Sequence, residues 1–297
     1  MAYCRQGRRG LGVNSQKTEV EYDYVGCLSE GLAVVSLSDE QGLNTKYGFV
    51  DKNGVLVVPV QYNSVLHFYK EGLTAVEIND KWGFIDKDGK VVISLQYDSV
   101  SNFSENLASV QRDGKWGFID KTEKIIIPFK YDHVLDFKEG LVSVKKGDKW
   151  GFVNKQGKTI IPFVYDTGGK FVNGLVRVEK NGKWGLIDKT GKTIIPFKYG
   201  YLEKFSEGLA GFIQNGKWGF IDSFGNIVIP AQYDYAYPFN ENMAGVEIDG
   251  KWGFIDKTGN IIVPILYDNA HYFSQDKAEV KLNGETFYID KQGNRLP

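Results

Sequence analysis

At 297 residues, with 42% apolar, 14% aromatic and 25% charged side chains, the chain can bury a sizeable core, and length alone suggests about two domains. A net charge of -1 and a pI near 6.4 provide no general attraction to phosphate, which argues against a nucleic-acid partner. The longest apolar runs, such as Val91-Val92-Ile93 and Ile125-Ile126-Ile127, fall far short of the ~18 residues of a membrane span, so none is expected.

Residues 1–20 are polar, Gly-rich and unpatterned, and a disordered N-terminal arm is expected there. Arg5, Arg8 and Arg9 are followed by no apolar stretch, so the arm does not read as a secretory signal and a cytoplasmic location is expected. Cys4 and Cys27 belong to no C-x-x-C or Cys/His spacing, and a repeat array held by packing does not require a disulfide between them.

From residue 21 to 297 the chain is a tandem repeat. Trp82, Trp116, Trp150, Trp184, Trp218 and Trp252 recur every 34 residues, each followed by Gly, and they are all of the tryptophans. Degenerate copies centred on Tyr47 and Thr286 flank the six, so the count is eight. Such a period means one structural unit copied and stacked, and it overrides the two-domain estimate. The first copy carries about six extra residues near Ser38 to Asn44, an insertion of the kind that loops absorb.

Within a unit, turn chemistry predicts the strands. Leu107 to Arg112 and Lys115 to Asp120 are separated by Asp113-Gly114, and Asn181-Gly182, Asn215-Gly216, Asp249-Gly250 and Asn283-Gly284 occupy the same place elsewhere. Asn-Gly and Asp-Gly between apolar runs signal a type I′ hairpin, because both central residues need φ > 0. An Asp-Lys-x-Gly turn follows, as at Asp188 to Gly191, then a third strand such as Lys192 to Pro196, where proline is expected to stop the ladder. Each unit is therefore read as a three-stranded antiparallel meander. The segments that return the chain to the next unit carry aromatics, Tyr131 and Phe137 among them, expected to seal consecutive units. A helical 34-residue repeat is rejected, since a turn Gly every dozen residues and a Pro in each copy would break helices. Two arrangements of the all-β array compete: an open twisted solenoid, favoured by short units and atypical end copies, and a closed propeller.

A two-residue turn pairs Arg112 with Lys115, Gln111 with Trp116, Val110 with Gly117 and Ser109 with Phe118. One face of the hairpin then holds Ala108, Val110, Gly117 and Ile119 and is assigned to the core. The other holds Ser109, Gln111, Trp116 and Phe118, and two of its positions vary between copies. Opposite Trp stand Glu77, Gln111, Lys145, Glu179, Ile213 and Glu247; opposite Phe or Leu stand Ala75, Ser109, Ser143, Arg177, Gly211 and Gly245. A row that accepts Glu, Lys and Arg in turn is at least partly wet. The six tryptophans, with Arg177 and Glu179, are therefore the candidate binding residues.

The Asp that opens each Asp-Lys-x-Gly is read as a turn residue, not as part of a carboxylate array. His67, His133 and His271 lack the spacing and partners of a metal site, so no metal and no cofactor are expected. No phosphate loop, nucleophile elbow or Cys/His pair is present, and a repeated surface suits a repeated or extended partner better than catalysis, so the chain is not read as an enzyme. The row Lys81, Lys115, Lys149, Lys183, Lys217 and Lys251 is read as solubilising, with an anion-binding stripe as the lesser alternative.

The block Lys-Trp-Gly-Phe-Ile-Asp-Lys-x-Gly-Lys-x-Ile-Ile-Pro resembles the WG-repeat family of bacterial β-rich repeat proteins, over residues 21–297. The departures are Tyr47 and Thr286 for Trp, Ser94 for Pro, Glu123 for the turn Gly and Asn154 for Asp. What the resemblance implies is a non-enzymatic β-repeat array. The expected role is a protein-interaction scaffold with an unknown protein partner, the alternative being a polysaccharide or cell-envelope binding module that stacks sugars on the tryptophan row.

Overall fold

The structure is a computed structural model that describes residues 10–13, 19–66 and 71–297. Most of the expected N-terminal arm lies outside the described residues. Within it, Gly10–Val13 pairs antiparallel with Glu19–Tyr22 as a two-stranded sheet. The remainder forms eight further antiparallel sheets, one for each repeat copy, and no helix occurs among the described residues. Two compact units divide the chain, Met1–Phe163 with sheets one to four and Val164–Pro297 with sheets five to eight; the chain passes from one to the other within the strand Thr159–Tyr165.

Sheet three represents the rest. Its strands are Ser99–Val100, Ala108–Arg112, Lys115–Ile119 and Ile125–Tyr131, paired in that order. The hairpin register is the one that the two-residue turn dictates, from Arg112 opposite Lys115 to Ala108 opposite Ile119. Asp113 at φ 51° and Gly114 at φ 73° supply the two left-handed residues of the turn. The three-stranded meander gains a fourth member, the two-residue strand after Tyr97-Asp98, which pairs with the outer side of the hairpin. Sheet five, built of Leu175–Lys180, Lys183–Asp188 and Thr193–Tyr199, lacks that strand; Thr167-Gly168-Gly169 stands in its place. In sheet one the insertion lengthens the hairpin to Leu32–Ser38 and Thr45–Asp51, and Asp39 closes its loop by accepting from the Leu43 N–H at 2.8 Å.

Proline does not end the third strand, contrary to the sequence expectation. Ile125–Tyr131 runs through Pro128, because Ile127 pairs with Phe118 and Tyr131 with Trp116. Four steps on one strand match two on the other, so Pro128 sits in a bulge where no ladder N–H is required. The same bulge explains the Gly after each Trp. A Cβ on Gly117 would lie 2.6 Å from the Ile127 carbonyl oxygen, and one on Gly185 would lie 2.7 Å from that of Ile195.

The core is a series of clusters, each shared by consecutive sheets. One joins Phe118, Ile127 and Tyr131 of sheet three to Val134, Val142, Val144 and Val153 of sheet four, with Phe137 of the return segment edge-on to Phe118 at 5.0 Å. The return aromatics therefore seal neighbouring copies as expected. Ala108, Val110 and Ile119 are buried, in keeping with the assigned core face. The opposite face is wet only toward the hairpin tip: Gln111 and Trp116 are partly exposed, whereas Phe118 is buried beneath the next sheet and Ser109 against Ser101. Such nearest-neighbour packing makes stability a sum over junctions.

Candidate binding face

Two repeated ionic devices tie neighbouring sheets within each unit at most junctions, one at either end of the strands. At the hairpin-tip end, the Asp of each Tyr-Asp pair bridges two sheets. Asp98 accepts from Lys81 Nζ of sheet two at 2.6 Å and from the Asp113 N–H of sheet three at 2.8 Å. Asp132 does the same with Lys115 and Gly147, Asp234 with Lys217 and Asp249, and Asp268 with Lys251 and Asn283. The lysine hydrogen bond leads in holding all four carboxyls below their ordinary pKa. These four lysines of the row are thus engaged within the fold.

At the other end a Glu of the turn before the hairpin reaches the next copy. Glu71 pairs with Lys121 at 3.1 Å and accepts from the Asn106 N–H, and Glu105–Lys155, Glu207–Lys257 and Glu241–Lys291 repeat the arrangement at 3.0–3.2 Å. The turn Asp residues behave as expected of turns. Asp256 accepts from the Thr258 hydroxyl and N–H and from Asn260, and these bonds hold its carboxyl near a pKa of about 2.

The candidate tryptophans occupy one structural position, each opposite a third-strand Tyr, as Trp184 is opposite Tyr199. Trp82, Trp116, Trp150 and Trp184 are half-buried, whereas Trp218 and Trp252 are only 8% and 9% exposed. The two units differ in what fills the spaces along this row. In the first unit Ser99 and His133 follow the bridging Asp; in the second, Tyr201 follows Gly200 and Tyr235 follows Asp234. The rings of Trp184, Tyr201, Trp218, Tyr235 and Trp252 consequently form a continuous ladder with centroids 5.4–6.0 Å apart. Tyr237 stacks on Trp252 at 4.8 Å, and Tyr235 remains 42% exposed.

Arg177 enters this ladder. Its guanidinium lies 5.2 Å from the Trp184 ring and 5.7 Å from the Tyr201 ring, and Nη1 donates to the Leu202 carbonyl oxygen. Beside it is Glu203, whose Oε2 is buried without a hydrogen-bond partner and whose carboxyl is pushed up to about 7 by burial, Arg177 pulling the other way. Glu179 lies directly opposite Trp184, partly exposed, and its backbone N–H donates to the Thr167 hydroxyl at 3.0 Å.

Tyr201, Tyr235, Tyr237 and Glu203 are additions to the candidates read from the sequence. The signal that could have found them is compensation between copies. The residue after the short strand donates its N–H to the carbonyl of the variable position opposite Phe, as Glu203 does to Gly211 and Tyr237 to Gly245. Large side chains there face glycine. A Cβ on Gly211 would lie 2.8 Å from Glu203 Oε2, and one on Gly245 would lie 3.0 Å from the Tyr237 ring. In sheet five the sizes reverse, Gly169 accompanying Arg177.

Among the described residues no group of three or more His, Cys, Asp or Glu side chains is arranged to hold a metal ion. The His133 ring lies edge-on to Trp150 at 5.4 Å, His271 Nε2 is 3.9 Å from Glu279, and His67 lies outside the described residues.

Comparison with known proteins supplies a family and a fold. A family model described as "WG containing repeat" matches seven times in tandem, over residues 47–82, 82–116, 116–150, 150–184, 184–218, 218–252 and 252–285. Comparison with curated proteins yields no match. Among solved structures, a chain titled as the eukaryotic initiation factor is 12% identical, with a TM-score of 0.51 over 99% of this chain and 96% of that one. Hsv2p of Kluyveromyces lactis is 8% identical, with a TM-score of 0.42 over 76% and 89%. These neighbours are β-propeller-like, and at such identities the first likeness concerns fold alone.

Proposed function

The chain belongs to the WG-containing repeat family, and we propose that it works as a non-enzymatic protein-interaction scaffold whose contact surface is the variable face of the second unit. One observation carries this reading. Framework positions recur from copy to copy, while the variable ones in sheets five and six gather Arg177, Tyr201 and Glu203, a cationic, aromatic and acidic set, beside the recurring ring of Trp184. Arg, Trp and Tyr are the residue types that anchor protein interfaces, since they bury large areas while retaining a polar group. Arg177, Tyr201 and Glu203 stand at positions that vary between copies, so they carry no folding duty that all copies share.

The polysaccharide alternative needs open indole faces. Trp218 and Trp252 offer little, their rings being covered by Tyr201, Tyr235 and Tyr237. A test is quantitative capture from a lysate of the source cells by the immobilised full chain, with Arg177→Ala and Tyr235→Ala beside the wild type and matched thermal melts. The reading expects one cross-linkable protein whose yield falls at least fivefold in both variants. An undiminished yield in both would sink it, and protection of tryptophan fluorescence from iodide by a soluble polysaccharide would favour the alternative.

A further inference from the structure

The junction between sheets five and six departs from the others at the position that carries the bridging Asp. Four junctions place an Asp carboxylate between a lysine of one sheet and a hairpin-tip N–H of the next, one oxygen to each donor: Asp98, Asp132, Asp234 and Asp268. In the same register stand Lys183, Gly200 and Asn215. The lysine and the hairpin tip are present. The carboxylate is not, because residue 200 has no side chain, and neither Lys183 Nζ nor the Asn215 N–H has a partner among the described residues. The backbone is otherwise as in the other copies: the Gly200 N–H donates to the Ile213 carbonyl at 2.9 Å, as the Asp98 N–H does to Gln111.

Nothing about the backbone demands glycine here. Gly200 lacks a left-handed φ, and a Cβ would meet only Ile213 O at 3.7 Å and Ile213 Cγ2 at 3.8 Å, ordinary contacts. The place where six other copies keep an Asp is therefore open to a carboxylate from outside. Its surroundings favour an anion. Between Thr167 and Lys204 there are eight basic side chains against three acidic. The opposite end of the junction also lacks its carboxylate, Asn173 standing where six other copies have Glu.

We infer that the Gly200 junction is a docking site for the carboxylate side chain of an acidic peptide segment on a protein partner, held by Lys183 Nζ and the Asn215 N–H as the Asp side chain is held at the other junctions. This deepens the scaffold reading and rests on it. The Trp184–Tyr201 pair and Arg177 flank the site, so the residues next to the carboxylate would pack on aromatic rings. A carboxylate fits the two donors better than a phosphate does, since the group replaced is itself a two-oxygen monoanion bonded once through each oxygen.

The experiment is fluorescence anisotropy of a labelled oligoglutamate peptide against the full chain at low salt, with an oligoglutamine peptide of the same length beside it. Binding of oligoglutamate alone is expected, weakened about tenfold by Gly200→Asp, which supplies the internal carboxylate, and similarly by Lys183→Gln, while Gly200→Ala binds as the wild type does. Gly200→Asp should melt no lower than the wild type, which separates a blocked site from an unfolded one. Equal binding by Gly200→Asp and the wild type would overturn the inference, as would inorganic phosphate displacing the peptide at equal concentration. Should oligoglutamate fail to bind while Arg177→Ala still abolishes partner capture, the docking inference falls and the scaffold reading stands.

Discussion

Two junctions of the second unit, five–six and six–seven, have the same hairpins and the same kind of core but opposite ionic dressing. Junction six–seven has Asp234 on Lys217 at one end and Glu207 on Lys257 at the other. At junction five–six three of these four partners are altered, Lys183 alone being kept: Gly200 replaces the Asp, Asn173 the Glu, and Ser223 the Lys of the Asp-Lys-x-Gly turn. Asn173 and Ser223 lose their charges together, so neither leaves an unpaired partner behind. In place of the ionic tie the two turns expose apolar groups, Val172 at 62% and Phe224 at 81%. The lesson is that the array separates two tasks. Apolar packing between sheets is kept at both junctions, and the rims are free to change where a surface is needed.

The largest effects should therefore not distinguish the two junctions. Leu186 is buried in the cluster of sheets five and six, and Phe220, edge-on to Phe239 at 4.8 Å, in that of sheets six and seven. Truncating either to Ala should cost about 3–4 kcal/mol in urea denaturation, through lost transfer energy and a residual cavity. A Leu186→Ala cost below about 1 kcal/mol would mean that junction five–six is loosely packed, and the comparison would break there.

A smaller effect belongs to Glu203 alone. Its carboxyl has an ordinary value of 4.5 and stands at about 7 in the fold, chiefly because burial disfavours the charge. With the folded value above the unfolded one, the folded state binds the extra proton, so stability is greatest below about 4.5 and falls as pH rises to about 7. Allowing for the part of the group that solvent reaches, the loss is roughly 1–2 kcal/mol. Melting temperature measured from pH 5 to 8 should decline more in the wild type than in Glu203→Gln, and identical profiles would remove Glu203 from the account.

The smallest effects sharpen the contrast between the rims. Installing both Glu and Lys, as Asn173→Glu with Ser223→Lys, should raise stability by a few tenths of a kcal/mol, with a coupling that neither single change shows in a double-mutant cycle. The converse change, Asp234→Gly, opens at junction six–seven the arrangement present at Gly200. It should give that variant a second, salt-sensitive oligoglutamate site, read as a stoichiometry near two in a titration.

Paired departures also show what was legible before the fold was known. Ser94 for Pro and Glu123 for Gly read along the chain as two unrelated irregularities. In the structure they are one contact: Glu123 accepts from the Ser94 hydroxyl at 3.2 Å and from Gln96 Nε2, reaching back from sheet three to sheet two. The Lys row reads as solubilising for the same reason, its Asp partners lying 17 residues away along the chain. Pro128 reads along the chain as a strand end because proline lacks an N–H, and only the two-residue bulge beside Trp116 shows why that N–H is not missed.

The period, the count of copies, the hairpin turns and their register, and hence which side chains share a face, are all legible along the chain. These follow from backbone chemistry acting over two to four residues, such as the need for φ > 0 at Asp113 and Gly114. Which groups of one copy meet those of the next emerges only from the folded array. That includes the Asp bridges, the Glu–Lys ties, the tyrosines between the tryptophans and the place left open at Gly200. Contacts between sheets depend on how closely two packed layers approach, and a repeat length carries the order of the layers but not the distance between their side chains.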